Sequence, residues 1–90
     1  MKNTQYVYPA QFIREDNNSI SVYFPDLDGC QTYDDTLSGA AIMAKKALED
    51  YIETLLEMKL VLPSASRFED VTSENCVVMF VVADVRDVAA

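Results

Sequence analysis

Residues 25–37 read Pro25-Asp26-Leu27-Asp28-Gly29-Cys30-Gln31-Thr32-Tyr33-Asp34-Asp35-Thr36-Leu37, and this stretch decides the fold. Pro25 ends whatever strand precedes it, and Gly29 permits a tight turn. A short strand then fits between about Cys30 and Tyr33. Asp35 or Thr36 supplies the N-cap oxygen of a helix, and the neighbouring carboxylates suit the positive end of its macrodipole. Turn, strand and helix start therefore follow one another without a linker.

Working outward, Leu37, Ala41, Ala44, Leu48, Tyr51 and Leu55 recur at spacings of four and three. They predict one apolar stripe along a helix that runs to about Met58. Ala40, Ala44 and Ala47 are small enough to let that helix lie close on a sheet. Upstream, Gln5 to Ile13 is rich in Tyr, Val, Phe and Ile and reads as a strand. Pro9 falls inside it, donates nothing to a ladder, and is expected at an edge position or a bulge. Arg14 to Ser19 has turn chemistry, with Asn17 and Asn18 tolerant of positive φ. Ile20, Val22 and Phe24 alternate with Ser21 and Tyr23, which completes a β-hairpin.

Beyond the helix, Leu60 to Ser66 reads as a loop around Pro63, and Arg67 to Asn75 is polar with no clear period. Val77-Val78-Met79-Phe80-Val81-Val82 is a continuous apolar run, the pattern of a strand buried on both faces. One helix covers one face of a sheet. The other face then calls for the Leu60–Asn75 segment, another subunit or a partner. The expected class is α+β: an antiparallel-rich four-stranded sheet in the order β-β-β-α-β, with one long helix on one face, forming a single domain over residues 1–90.

The chain has 90 residues, half of them hydrophobic, with fifteen Asp and Glu against seven Lys and Arg, no His, and a net charge of −8. Phosphate neutralisation drives nucleic-acid binding and leaves a basic footprint, so direct DNA or RNA binding by this chain is not expected. Acidity of this kind favours encounter with a basic partner, although it also serves plain solubility. Cys30 and Cys76 have no metal spacing and read as small buried or half-buried thiols in a reducing cytosol. The first residues lack the apolar core of a secretory signal, and the 76–83 run is too short for a membrane span. The expected location is the cytoplasm.

Without His there is no Ser-His, Cys-His or His-metal arrangement, and with only Gly29 and Gly39 there is no phosphate cradle. Catalytic residues, metal ligands and cofactors are therefore not assigned. Carboxylates remain. Asp26, Asp28, Asp34 and Asp35 surround the third strand and could in principle collect a hard cation, but their spacing matches no EF-hand loop. Turn and capping roles account for all four. Glu49, Glu53 and Glu57 stand at successive i, i+4 positions beside Asp50, where like charges destabilise a helix by roughly 0.2–0.5 kcal/mol per pair. Lys45 and Lys46 offset only the first turn, through Lys45–Glu49 and Lys46–Asp50. A run that breaks local rules invites a functional reading, here a surface for a basic partner, although a charged outer face also arises from solvation alone.

Tyr8-Pro9, the strand with Val22 and Phe24, the turn Pro25-Asp26-Leu27-Asp28-Gly29-Cys30, and Asp35-Thr36-Leu37 leading into an Ala-rich helix together resemble the HicB-like antitoxin family. Leu62-Pro63-Ser64 is similar to the proline-containing loop found there. The resemblance spans roughly residues 6 to 84. Asp28 stands where the family usually has proline and Asp34 where it often has glycine; both add negative charge in one neighbourhood. The resemblance implies a partial ribonuclease-H-like fold without that enzyme's catalysis. It also implies self-association and a partner in a small, basic, mRNA-cleaving HicA-like toxin whose active site is occluded. Many members continue into a DNA-binding module, and on this resemblance these 90 residues are expected to correspond to the toxin-facing part. Two other readings stand beside it: an orphan regulatory or structural oligomeric domain, and a weak metal-dependent nuclease using the four Asp residues. On the leading reading the candidate partner-binding residues are Asp26, Asp28, Asp34, Asp35, Glu49, Glu53 and Glu57.

Overall fold

The computed structural model describes residues 3–86. Its elements are β1 (Asn3–Arg14), β2 (Ile20–Tyr23), β3 (Gln31–Asp34), α1 (Leu37–Glu57), the one-turn α2 (Phe68–Val71) and β4 (Val77–Arg86). The strands form one antiparallel sheet in the order β3-β2-β1-β4, with α1 packed on one face. This is the expected α+β class.

Local chemistry sets the turns. Asn18 takes φ 69° between β1 and β2, where Glu15 N–H donates to Ser19 O at 2.8 Å and Asn17 Oδ1 accepts from Ser19 N–H at 3.0 Å. After β2, Phe24 N–H donates to Cys30 O at 3.1 Å, and Cys30 N–H to Leu27 O at 3.0 Å. Gly29 in this turn has φ 79°, a conformation that costs an L side chain energy. The N-cap of α1 is Thr36, whose side chain accepts from Gly39 N–H.

The core lies between α1 and the sheet. Tyr8, Ala10 and Phe12 of β1, Ile20 and Val22 of β2, Ala83 and Val85 of β4, and Phe24, Leu27 and Cys30 of the turn meet Ala40, Ala44, Leu48 and Ile52. The helix stripe differs from the expected one. Leu37 is 52 % exposed and Ala41 is exposed, so the buried line advances strictly by four, with Ala47 and Tyr51 on its flank. The buried line takes Ala40 and Ala44 in the first half of the helix, where small side chains allow close approach to the sheet, and Leu48 and Ile52 in the second half.

Pro9 is buried in β1, between strands rather than in an edge strand. Its tolerance is nevertheless an edge effect. β2 pairs only with Gln11 to Arg14, so at Pro9 the β2 side of the ladder is bare. On the other side Pro9 stands opposite Phe80. Further along β4, at a position of the same parity, Asp84 directs its N–H away from β1, to Glu49. Backbone groups alternate sides along a strand, so Pro9–Phe80 is a pair without mutual hydrogen bonds, and proline forfeits nothing.

The expectation that the 77–82 run is buried on both faces is corrected. β4 is an edge strand, and Val77 is 62 %, Phe80 49 % and Val82 39 % exposed. Met79 and Val81 face the helix, whereas Val78, Phe80 and Val82 alternate onto the far face. Part of that face is covered by the segment read as irregular: α2 lies there, Val71 is buried, and Gln11 Nε2–H donates to Val71 O at 2.7 Å. Among the described residues no helix is long and apolar enough to cross a membrane.

Candidate functional site

The seven candidate carboxylates separate into groups with different duties. Asp26, half-buried in the β2–β3 turn, accepts from Ser66 N–H at 2.8 Å and from the Ser66 hydroxyl. Tyr8 O–H donates to Pro63 O at 2.5 Å beside it. These bonds pin the loop after α1 across the end of the sheet. Burial raises the Tyr8 phenol above its ordinary pKa, and the Asp26 charge and Tyr6 add to the effect. Asp26 is thus a latch within the fold.

Glu49 is also engaged. Its Oε2 accepts from Asp84 N–H at 2.8 Å and pairs with Lys45 Nζ at 3.2 Å. Lys45 donates in turn to Val82 O at 3.0 Å and Asp84 Oδ2 at 2.8 Å. The hydrogen bond between Lys45 and Asp84 is the main reason that the ammonium titrates higher, and the carboxyl lower, than usual. Two helix side chains therefore stand in for the missing neighbour strand at Val82 and Asp84, a common protection of a sheet edge.

Asp34 turns its carboxylate onto the helix start, accepting from Thr36 N–H at 3.1 Å and Thr36 O–H at 3.2 Å. It lies so close to Gly39 that a Cβ there would stand 2.0 Å from its Oδ2. Asp28 and Asp35 are exposed at the two ends of β3, and Asp50, Glu53 and Glu57 are exposed on α1. Tyr51 O–H donates to Asp28 O at 2.8 Å and ties the turn to the helix. A shallow groove lined by Gly29, Cys30, Gln31, Ala47, Asp50, Tyr51 and Thr54 runs between them. The fold thus brings the Asp28 turn and the acidic side of α1 together, while it withdraws Asp26 and Glu49 into internal bonds.

Sequence reasoning passed over the far face of β2 and β3. Ile13, Glu15, Ser21, Tyr23, Gln31 and Tyr33 border an open hollow of about 550 Å³, and Tyr23 and Tyr33 are 41 % and 68 % exposed. The period-two alternation of both strands carries that information, since Ser21 pairs with Tyr33 and Tyr23 with Gln31. Exposed tyrosines offer large contact area with a polar tip, which suits protein recognition.

Among the described residues no group of three acidic or Cys side chains is placed to hold a metal ion. Cys30 and Cys76 are free, the first buried and the second half-buried. Burial pushes the Cys30 thiol up to about 11, and its Sγ lies 3.8 Å from Ala47 O. At pH 8, roughly one Cys30 in a thousand would be thiolate. In the native protein Cys76 should consume iodoacetamide while Cys30 stays unmodified until the chain is unfolded; peptide mass mapping checks this.

A family model described as a HicB-like antitoxin of bacterial toxin–antitoxin systems matches residues 8–89. The N-terminal domain of the Burkholderia pseudomallei antitoxin HicB superposes with TM-score 0.74 at 22 % identity, over 84 % of this chain and 95 % of that one. A chain of a HicA3–HicB3 toxin–antitoxin complex matches with TM-score 0.65 at 24 % identity, over 91 % and 100 %. A chain of a toxin–antitoxin complex from Streptococcus pneumoniae matches with TM-score 0.74 at 21 % identity, over 92 % and 70 %. At these identities the structural likeness establishes the fold. No curated protein sequence matches.

Proposed function

This chain belongs to the HicB-like antitoxin family of bacterial toxin–antitoxin systems, and from that premise we propose that it binds a small basic HicA-type toxin and blocks its mRNA-cleaving site. The observation that carries the reading is the outward acidity of a chain with net charge −8: Asp28, Asp35, Asp50, Glu53 and Glu57 are all exposed. An acidic face of this kind steers a basic protein into encounter, and its rim charges act mainly on the association rate. Occlusion asks for no catalytic group, cofactor or metal of the antitoxin's own, so the proposed activity is binding rather than catalysis. We take residues 1–90 as one toxin-binding domain working in the cytoplasm, where an mRNA-cleaving partner finds its substrate.

The test is co-expression with a HicA-like toxin from the same genome, followed by co-purification and an RNA-cleavage assay. The wild-type chain should co-purify and suppress cleavage. The variant D50K/E53K/E57K should associate about tenfold or more slowly at low salt, with a flatter salt dependence. Its stability should stay close to that of the wild type, since the repulsion of Glu49 and Glu53 becomes attraction and cations come near a helix C-terminus, while the Lys46–Asp50 pair is lost and positions 53 and 57 remain alike in charge. Glu49 is left intact because it holds β4. An unchanged association rate would reduce the α1 acids to a solubility feature.

A further inference from the structure

Leu37 and Ala41, the two positions of the expected helix stripe that are left exposed, border one opening. Leu37 lines a hollow of about 300 Å³ together with Phe12, Ile20, Val77 and Met79. Ala41 lines a second, of about 330 Å³, with Val81 and Lys45. Phe12 and Met79 belong to both, so the hollows adjoin as one groove between the first half of α1 and β4. Its floor is buried core at Phe12 and Ile20, whereas Leu37 and Val77 stand exposed at its rim. The charges lie at its ends. Lys45, at one, is held by Glu49 and Asp84. Arg14 and Glu74 line the other, and Arg14 forms no ion pair among the described residues. At about 1.5 Å per residue, α1 advances about 12 Å between Leu37 and Lys45.

We propose that this groove holds a linear acyl chain of about ten carbons, with its carboxylate at Arg14. Length and lining point to the chain. An extended run of single bonds advances about 1.2 Å per bond, as a peptide backbone does, so about ten carbons reach from the Arg14 end to Lys45. Charge fixes the head. The Arg14 guanidinium takes a carboxylate through two parallel hydrogen bonds. Glu74 on the same rim repels a second negative charge, which favours a carboxylate over a phosphate monoester. Lys45 is already held by two carboxylates and Val82 O, so the tail lies there. A basic protein gains nothing from Arg14, and a second copy brings its own net charge of −8. The site uses none of the acids assigned to toxin binding and stands apart from that reading.

Isothermal titration of the full chain with hexanoate, octanoate, decanoate and dodecanoate, below their micelle concentrations, tests it. Affinity should rise about fourfold per added methylene and level off beyond about ten carbons, where the groove ends. Decanoate should also slow the alkylation of Cys76, which lines the head-group hollow. Arg14→Gln should weaken decanoate about tenfold and remove its advantage over decanol. Ala41→Leu alters an exposed helix position and fills the tail end, so it should weaken decanoate about tenfold and leave hexanoate unchanged. Both variants should keep the wild-type circular-dichroism spectrum; if Ala41→Leu misfolds, the chain-length series and Arg14→Gln still decide. Absence of saturable binding, affinity that climbs without a plateau, decylamine binding as tightly as decanoate, or indifference to Arg14→Gln would each overturn the proposal. So would shielding of Cys76 that grows with protein concentration alone or that requires a basic toxin, since a protein would then cover the groove.

Discussion

Replacing Phe24 by alanine is expected to cost about 3–5 kcal/mol, the range for removing a buried aromatic ring from a packed core. Phe24 is fully buried at the point where β2 ends, and its N–H closes the turn onto Cys30 O. The ring belongs to the core cluster that the sheet, the turn and α1 share. A domain of this size has about 5–13 kcal/mol in total at typical per-residue stability, so the variant should approach the threshold of folding. Thermal melts should shift down by about 15–30 °C on the usual scaling for small domains, and urea titration should show a lower midpoint with little change in slope. Phe68→Ala is the control: Phe68 is 48 % exposed, and its loss should stay within about 0.5 kcal/mol. Equal effects at both positions would contradict the packing described for Phe24.

The second large effect is expected at Asp26. Asp26→Ala removes the acceptor of both Ser66 bonds and leaves a half-buried N–H without a partner. Hydrogen bonds to a charged group contribute about 1.5–3 kcal/mol, and a loss of about 2–3 kcal/mol follows. Ser66→Ala removes only the hydroxyl half, and the double variant should be less destabilised than the sum of the singles. Hydrogen exchange should localise the change to the loop after α1, with the β1–β4 ladder still protected. Strict additivity would mean that Asp26 and Ser66 act separately. The Tyr8 phenol should titrate somewhat lower in Asp26→Ala. It should still remain above its ordinary value, because burial is the larger cause of its shift.

The Asp26 and Glu49 results show where sequence reasoning reached and where it stopped. Thr36 as helix cap, Asn18 and Gly29 at positive φ, and the four strands with one long helix were legible, because each rests on interactions within a few residues. The acids that remain outward, Asp28, Asp35, Glu53 and Glu57, were legible as charge. The role of Asp26 depends on Ser66, forty positions away, and that of Glu49 on Asp84, thirty-five away. No local rule reaches them. The one-turn α2 was missed for a related reason. Phe68–Val71 is too short to show a helical period, and it is held by Val71 and Gln11 against β1.

By itself, then, the sequence determined the class of fold, the turns, the helix and the sign of the surface, since these follow from side-chain volume, backbone preference and net charge. Only the tertiary structure decided which line of α1 is buried, which acids are spent inside the fold, and which face of the 77–82 run meets solvent. The physical reason is strand order. With β4 at the edge, α1 covers one face of it, and Lys45 and Glu49 cover the free side at Val82 and Asp84.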